Sequence, residues 1–165
     1  MSRSGEGLGE LLAALPIPII QAPMVGASLD RLAVAVSAAG GMGALAAGAL
    51  SPDEIGPMVA RVRAGTDRSF VVNLLMAPRG DPGPGEVAAA LDRLTPWYAE
   101  LGQAPPEAPN QFAPDFDSQL EAVIAAAPPA ASFTFDLLDA DRVRRLQSRG
   151  TYVIGTATTV AEARA

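Results

Sequence analysis

Apolar residues in this chain gather in short unbroken runs, and between those runs they recur at helical spacing. Parallel strands joined by amphipathic helices leave that alternation in a sequence. Ile17 to Ala22 is the first run, bounded by Pro16 and Pro23 and apolar at nearly every position, as a strand buried on both faces is. A helix over Asp30 to Ala39 follows, Gly40-Gly41 ends it, and Met42 to Ala46 forms a second strand of small residues. Ser51-Pro52-Asp53-Glu54 then gives a serine N-cap, a proline at the first helical position and a glutamate at the third, which together make a capping box. In the helix it starts, Ile55, Met58, Val59 and Val62 form one apolar stripe, and Gly65 closes it.

Phe70 to Leu75 is the third strand, apolar except for Asn73. From Pro78 to Pro114 the pattern lengthens into a helix carrying Val87, Leu91, Leu94 and Leu101, with a kink expected at Pro96, and then a proline-rich loop from Gly102. That stretch reads as an insertion. Asp117 to Ala127 resumes a helix with Leu120, Val123 and Ile124 on one face, and Ala131 to Phe135 is strand four. A short helix over Asp141 to Arg149 ends at Gly150, Tyr152 to Ala157 is strand five, and Thr159 to Glu162 repeats the capping pattern. About five strands alternating with helices call for parallel βαβ units, a requirement that a doubly wound sheet and a barrel meet equally well.

Composition narrows the function. An apolar fraction of 49% over 165 residues fits one compact domain. Twelve basic against eighteen acidic side chains, net charge -6, leave no electrostatic footprint for nucleic acid or an anionic membrane. Leu32 to Leu50 is uncharged and about as long as a membrane span, but it is mostly Ala and Gly and Gly40-Gly41 interrupts it, so it reads as a buried helix, turn and strand. The absence of cysteine removes disulfides and thiolate chemistry, and the absence of histidine removes the commonest general base and metal ligand. No metal site is expected, so carboxylates, hydroxyls, backbone groups or a cofactor carry any chemistry. The first residues lack the apolar core of a secretory signal, and a cytoplasmic protein is expected.

Several segments, taken in order, resemble the nitronate monooxygenase (2-nitropropane dioxygenase) family. Pro18-Ile19-Ile20-Gln21-Ala22-Pro23-Met24 is similar to that family's opening strand, and Ala39-Gly40-Gly41-Met42-Gly43 to its second-strand glycine motif. Thr66 to Leu74, Ser132-Phe133-Thr134-Phe135 and Val153 to Val160 resemble the third, fourth and fifth strands. The resemblance implies an α/β fold, an incomplete (β/α)8 TIM barrel of about five parallel strands with outer helices, within which residues 1–165 form the N-terminal portion and about 78–114 the insertion. It also implies FMN as cofactor and alkyl nitronates or nitroalkanes with dioxygen as reactants. On this footing Ala22, Pro23 and Met24 run beside the isoalloxazine ring, although an ordinary strand ending at a proline would hold the same residues.

Asn73 is a cofactor-binding candidate, because a carboxamide in an apolar strand needs hydrogen-bond partners and a flavin edge offers them; a neighbouring backbone group would serve as well. Thr156, ending strand five, is another candidate, its hydroxyl reaching either the ring or its own loop. The glycines at 40, 41 and 43 follow a helix and open a strand, an order that suits a C-cap and close packing rather than a phosphate loop.

Two departures from the family pattern bear on chemistry. Many members carry a histidine base just after strand five, where this chain has Thr158 to Ala163; Glu162 takes that position, either as a catalytic base or as the acidic half of a capping box. Asp136 stands where the fourth-strand motif usually continues with glycine. A closed barrel of this type takes about 250 residues, so a chain of this length alone is expected to be inactive, and to associate with copies of itself or with a complementing C-terminal half. The alternatives are a non-catalytic homologue or oligomeric scaffold, a flavin-dependent enoyl reductase-like enzyme, and a doubly wound module of the flavodoxin type.

Overall fold

A computed structural model describes residues 8–76 and 82–164 of the chain. It divides into two compact units, residues 1–77 with 114–165 and residues 78–113. The second holds α4 (Pro84–Glu100), which continues through Pro96 and is followed by a stretch without helix or strand. Glu86 accepts the Gly83 N–H at 2.9 Å, satisfying a donor that the start of α4 would otherwise leave free.

The first unit contains α1 (Leu8–Ala13), α2 (Asp30–Ala38), β1 (Gly43–Ala46), α3 (Pro52–Gly65), β2 (Phe70–Leu75), α5 (Phe116–Ala126), β3 (Ala130–Thr134), α6 (Ala140–Ser148), β4 (Tyr152–Ile154) and α7 (Val160–Arg164). The four strands pair in parallel in chain order, β1-β2-β3-β4. One face of this sheet buries Leu45, Val72, Leu74, Ala131 and Phe133 against Ala33 of α2, the Ile55–Val62 stripe of α3, Leu120 and Val123 of α5, and Leu146 of α6. The opposite face carries Met42, Ala44, Val71 and Ala130, with Leu11 of α1 among them. Chain-order strands with the connecting helices on one face are the arrangement of a barrel wall, whereas a doubly wound sheet has helices on both faces.

The capping box forms as its sequence requires: Glu54 accepts the Ser51 N–H at 2.8 Å. Residues 32–50 fold as helix, turn and buried strand, with Gly40 at φ +105° where the chain leaves α2. Gly43 lets α2 approach β1, since a Cβ there would lie 2.1 Å from the Ala33 carbonyl oxygen.

The expected first strand, Ile17 to Ala22, is a correction. It makes a single parallel bridge, Ile20 with Met42, so the sheet has four strands among the described residues. Pro18 has no N–H to give a ladder, and the Ile19 N–H donates back to the Ile17 carbonyl at 2.7 Å, turning the chain out of extended pairing. Of the other strands, β3 keeps its expected length but starts one residue earlier, and β4 is shorter. β3 stops at Thr134 because Phe135 takes φ 84°, and β4 stops at Ile154.

A candidate ligand site at the strand C-termini

Strand register stacks the inner face in rows. Ala44, Val71, Ala130 and Tyr152 are partners across the four strands and form an apolar lower row that Leu11 and Leu15 pack against. One step toward the strand C-termini the row is Ala46, Asn73, Ser132 and Ile154, and Leu75 pairs with Thr134 beyond it. Polarity therefore rises toward the end where barrel sites are built.

Asn73 is 4% exposed, and its Nδ2 donates to the Ser132 hydroxyl at 3.0 Å, the Ser132 carbonyl at 3.3 Å and the Thr134 hydroxyl at 3.3 Å. These cross-strand acceptors fix the carboxamide plane. No donor reaches its Oδ1 among the described residues, so that oxygen is free to accept from a ligand. Thr156 lies beyond the end of β4, and its hydroxyl donates to the Phe133 carbonyl at 2.9 Å, tying the β4 exit to β3. The bond goes to the neighbouring strand rather than to the loop of Thr156 itself.

Ala22, Pro23 and Met24 reach the same end of the sheet by way of Ser28. The Ser28 hydroxyl accepts the Met24 N–H at 3.0 Å and donates to the Ala22 carbonyl at 3.2 Å, while the Ser28 carbonyl accepts the Ala46 N–H at 2.8 Å. Ala46 in turn pairs with Asn73. Along the sheet end the order is thus Ala22–Met24, small Ala46, Asn73, then Ser132 and Thr134 of β3, with Thr156 beyond.

Glu162 is engaged elsewhere. Its carboxylate accepts the Thr158 N–H at 2.6 Å and the Thr158 hydroxyl at 2.7 Å, and its own N–H donates to the Thr159 hydroxyl at 3.2 Å. The contact with the Thr158 hydroxyl, reinforced by the Thr158 N–H, holds the carboxyl below its ordinary pKa. A lowered value means the cap is present above the usual glutamate range and is lost as pH falls through the depressed value. NMR titration of the Glu162 carboxyl is expected to give a midpoint below that of a free glutamate. A midpoint raised toward neutrality would instead mark it as a poised base.

Asp136, at the departure from the family motif, is exposed, and the positive φ falls one residue earlier on Phe135, itself 73% exposed. A bulky side chain in that backbone region is strained by about 1–3 kcal/mol. Sequence reading missed Gln21, Ser28, Ser132 and Thr134. The last two were readable: they alternate along β3 at the period that puts them on the face of Asn73. Gln119, 1% exposed on α5, was also missed; its Nε2 donates to the Leu50 carbonyl at 2.7 Å and the Ala47 carbonyl at 3.2 Å, anchoring the loop after β1.

A cavity of about 220 Å³ lies on the helix side, lined by Phe133, Leu138, Val143 and Val153; its walls are almost wholly apolar and it lacks the converging polar groups of the sheet end. Among the described residues no cluster of three or more His, Cys, Asp or Glu is placed to hold a metal, and no helix is long and apolar enough to cross a membrane.

Parallel strands in chain order, helices on one face and polar groups gathered at the strand C-termini define a segment of a (β/α)8 barrel with its ligand-binding end. Residues 10–165 match the family model described as nitronate monooxygenase, and the chain belongs to that family. It is 38% identical over 155 residues to a nitronate monooxygenase of Pseudomonas aeruginosa, covering 92% of this chain and 44% of the relative. It is 36% identical over 157 residues to a probable nitronate monooxygenase of Bacillus subtilis, covering 91% and 43%. Among solved structures it superposes on a nitroalkane oxidase from Streptomyces ansochromogenes with a TM-score of 0.80 and 36% identity, over 93% of this chain and 44% of the other. The chain therefore spans less than half the length of these relatives.

Proposed function

We propose that this chain supplies the ring-facing part of an FMN site in an oxidoreductase that oxidises alkyl nitronates with dioxygen. The observation that carries the reading is Asn73, whose carboxamide is held by Ser132 and Thr134 above an apolar row and whose Oδ1 meets no donor among the described residues. The residues fit a flat heteroaromatic ring. Ala22 and Ala46 are small enough for close approach, and Asn73 presents an acceptor to a ring N–H. The apolar lower row and Leu11 close the floor against water. FMN bound there supplies the redox chemistry that joins a nitronate to dioxygen.

Substrate class follows from proton chemistry. A nitronate is the conjugate base of a nitroalkane, so its α-proton is already gone and the site needs no base to accept it. A neutral nitroalkane does need one. This chain has no histidine, and its positional substitute, Glu162, has a depressed pKa and caps α7. With the groups of this chain alone, nitronates are the better substrates. The reading includes a cytoplasmic location and the supply of the remaining strands by a complementing C-terminal half or by self-association.

In any polypeptide that completes the barrel and holds FMN, Asn73→Leu is expected to weaken flavin retention by about 1–3 kcal/mol, the cost of leaving a buried polar partner unmet. Equilibrium dialysis against FMN measures it, with a urea midpoint to separate lost binding from lost fold. Retention equal to wild type in a folded variant would remove Asn73 from the site.

A further inference from the structure

We infer that Ser28 is a positioning residue whose buried hydroxyl presets the Ala22–Met24 strip against the sheet end before any ligand arrives. Ser28 is 0% exposed, and all of its hydrogen-bonding capacity is directed at this strip and its support. Its hydroxyl accepts from the Met24 N–H at 3.0 Å and from Gln21 Nε2 at 2.7 Å, and donates to the Ala22 carbonyl at 3.2 Å. One donor and two acceptor sites are all that a serine hydroxyl has. Gln21 extends the tie to β1, its amide meeting both the N–H and the carbonyl of Ala44 at 3.4 Å.

Regular pairing ends at the Ile20–Met42 bridge and the Gln21 N–H bond to the Met42 carbonyl at 2.9 Å. Beyond that point the strip's main-chain bonds run through the Met24 carbonyl alone, which accepts the Ala27 N–H at 3.1 Å and the Ser28 N–H at 2.7 Å, and the Ala22 carbonyl and Met24 N–H are left to the Ser28 hydroxyl. Pro23 has no N–H, and Met24 is 46% exposed, so without the hydroxyl the Met24 amide faces water. Residue 28 is tied to β1 independently of the strip by its carbonyl, which holds the Ala46 N–H at 2.8 Å. The hydroxyl is therefore what joins the Ala22 carbonyl to the Met24 N–H and sets the strip between them, while the main-chain bonds hold the Met24 carbonyl and residue 28. A strip already in its bound shape loses less freedom when a ring docks on it. This second consequence rests on the FMN reading above; the first does not.

The test compares the 165-residue chain with Ser28→Ala and Ser28→Thr by amide hydrogen exchange, and the same three sequences in a polypeptide that completes the barrel by FMN titration followed through flavin fluorescence. Protection at Met24 is expected to fall at least about tenfold in Ser28→Ala, a lost hydrogen bond's worth, to persist in Ser28→Thr, and to leave Val72 in β2 unchanged. FMN affinity is expected to fall about tenfold in Ser28→Ala and to recover in Ser28→Thr. Undiminished Met24 protection in Ser28→Ala overturns the inference, as does loss of protection at Met24 and Val72 together, which would make Ser28 a general core residue. Equal FMN affinity in all three proteins overturns its ligand consequence. If none of them binds FMN even in the completed barrel while the exchange pattern holds, the cofactor reading fails and the positioning role stands.

Discussion

Gly43→Ala is expected to destabilise the fold by about 1–3 kcal/mol or more, as forcing a methyl group into a filled core does. The new Cβ would stand 2.1 Å from the Ala33 carbonyl oxygen and 2.6 Å from its Cα. Those are backbone atoms of α2, so no side-chain rotation relieves the clash and the helix must move away from β1. That movement also disturbs a buried hydrogen-bond relay: the Gly43 N–H donates to the Ser37 hydroxyl at 2.9 Å, which donates to the Ser69 carbonyl at 3.0 Å. Both losses fall within a stability of about 5–15 kcal/mol for an ordinary domain. Gly56→Ala supplies the contrast. Position 56 lies inside α3, where an added Cβ meets nothing within 4 Å, and the exchange should stabilise by about 0.5–1 kcal/mol through helix propensity and the unfolded state. Urea unfolding of the two variants should move the midpoint in opposite directions. Equal midpoints would show that α2 and β1 are not in the close contact described.

Much of this architecture was legible because local rules and the global fold agreed. The Ser51–Glu54 capping box and the Ile55–Val62 stripe specified α3, and the run Phe70–Leu75, apolar but for Asn73, matched β2 to the residue. The Gly40–Gly43 cluster was rightly assigned to a turn and close packing, since its two reasons, a positive φ and a filled space, are properties of glycine alone. The failures share a cause. Residues 17–22 are apolar enough for a strand, but periodicity counts side chains and takes no account of the donor that Pro18 lacks. Phe135 was included in strand four because nothing in its identity announces a positive φ. At the candidate site the sequence marked Asn73 by its polarity in an apolar strand, but the groups that orient it, Ser132 and Thr134, needed the β2–β3 register to be recognised. Ser28 and Gln119 were beyond reach for a different reason: each acts on a backbone distant in sequence, and only the fold brings them together.

Purified alone, the 165-residue polypeptide is expected to be colourless, self-associating and unable to take up oxygen with propyl-2-nitronate at a useful rate. The relatives are more than twice as long as the stretch this chain matches, and a barrel of this class closes with about 250 residues. The described sheet has four strands, and β4 is paired only with β3. Its outer edge offers unsatisfied backbone groups, and Tyr152, Val153 and Ile154 are only partly buried there. At the other end Ile17 and Ile19 are 43% and 61% exposed. Apolar surface beside open strand edges favours association, so size-exclusion chromatography should show oligomers. FMN retention suffers for an electrostatic reason. Barrels of this kind commonly hold phosphate at the loops after strands seven and eight, and among the described residues four arginines are already engaged by carboxylates: Arg61 pairs with Asp30 between α2 and α3, Arg142 and Arg145 of α6 pair with Asp117 and Glu121 of α5, and Arg144 pairs with Asp141 within α6. These pairs join helix to helix or lie within one helix, and the proposed ring-facing residues Ala22, Asn73 and Thr156 bring no positive charge. Ring contacts without a charge-assisted grip on the phosphate leave the flavin weakly held. Co-expression with the remaining strands of a family member should restore colour and oxygen uptake together, because it supplies the phosphate loops and covers the β4 edge in one step. A yellow monomer turning over the nitronate by itself would show that the ring-facing wall suffices, and the argument from phosphate and edges would fall.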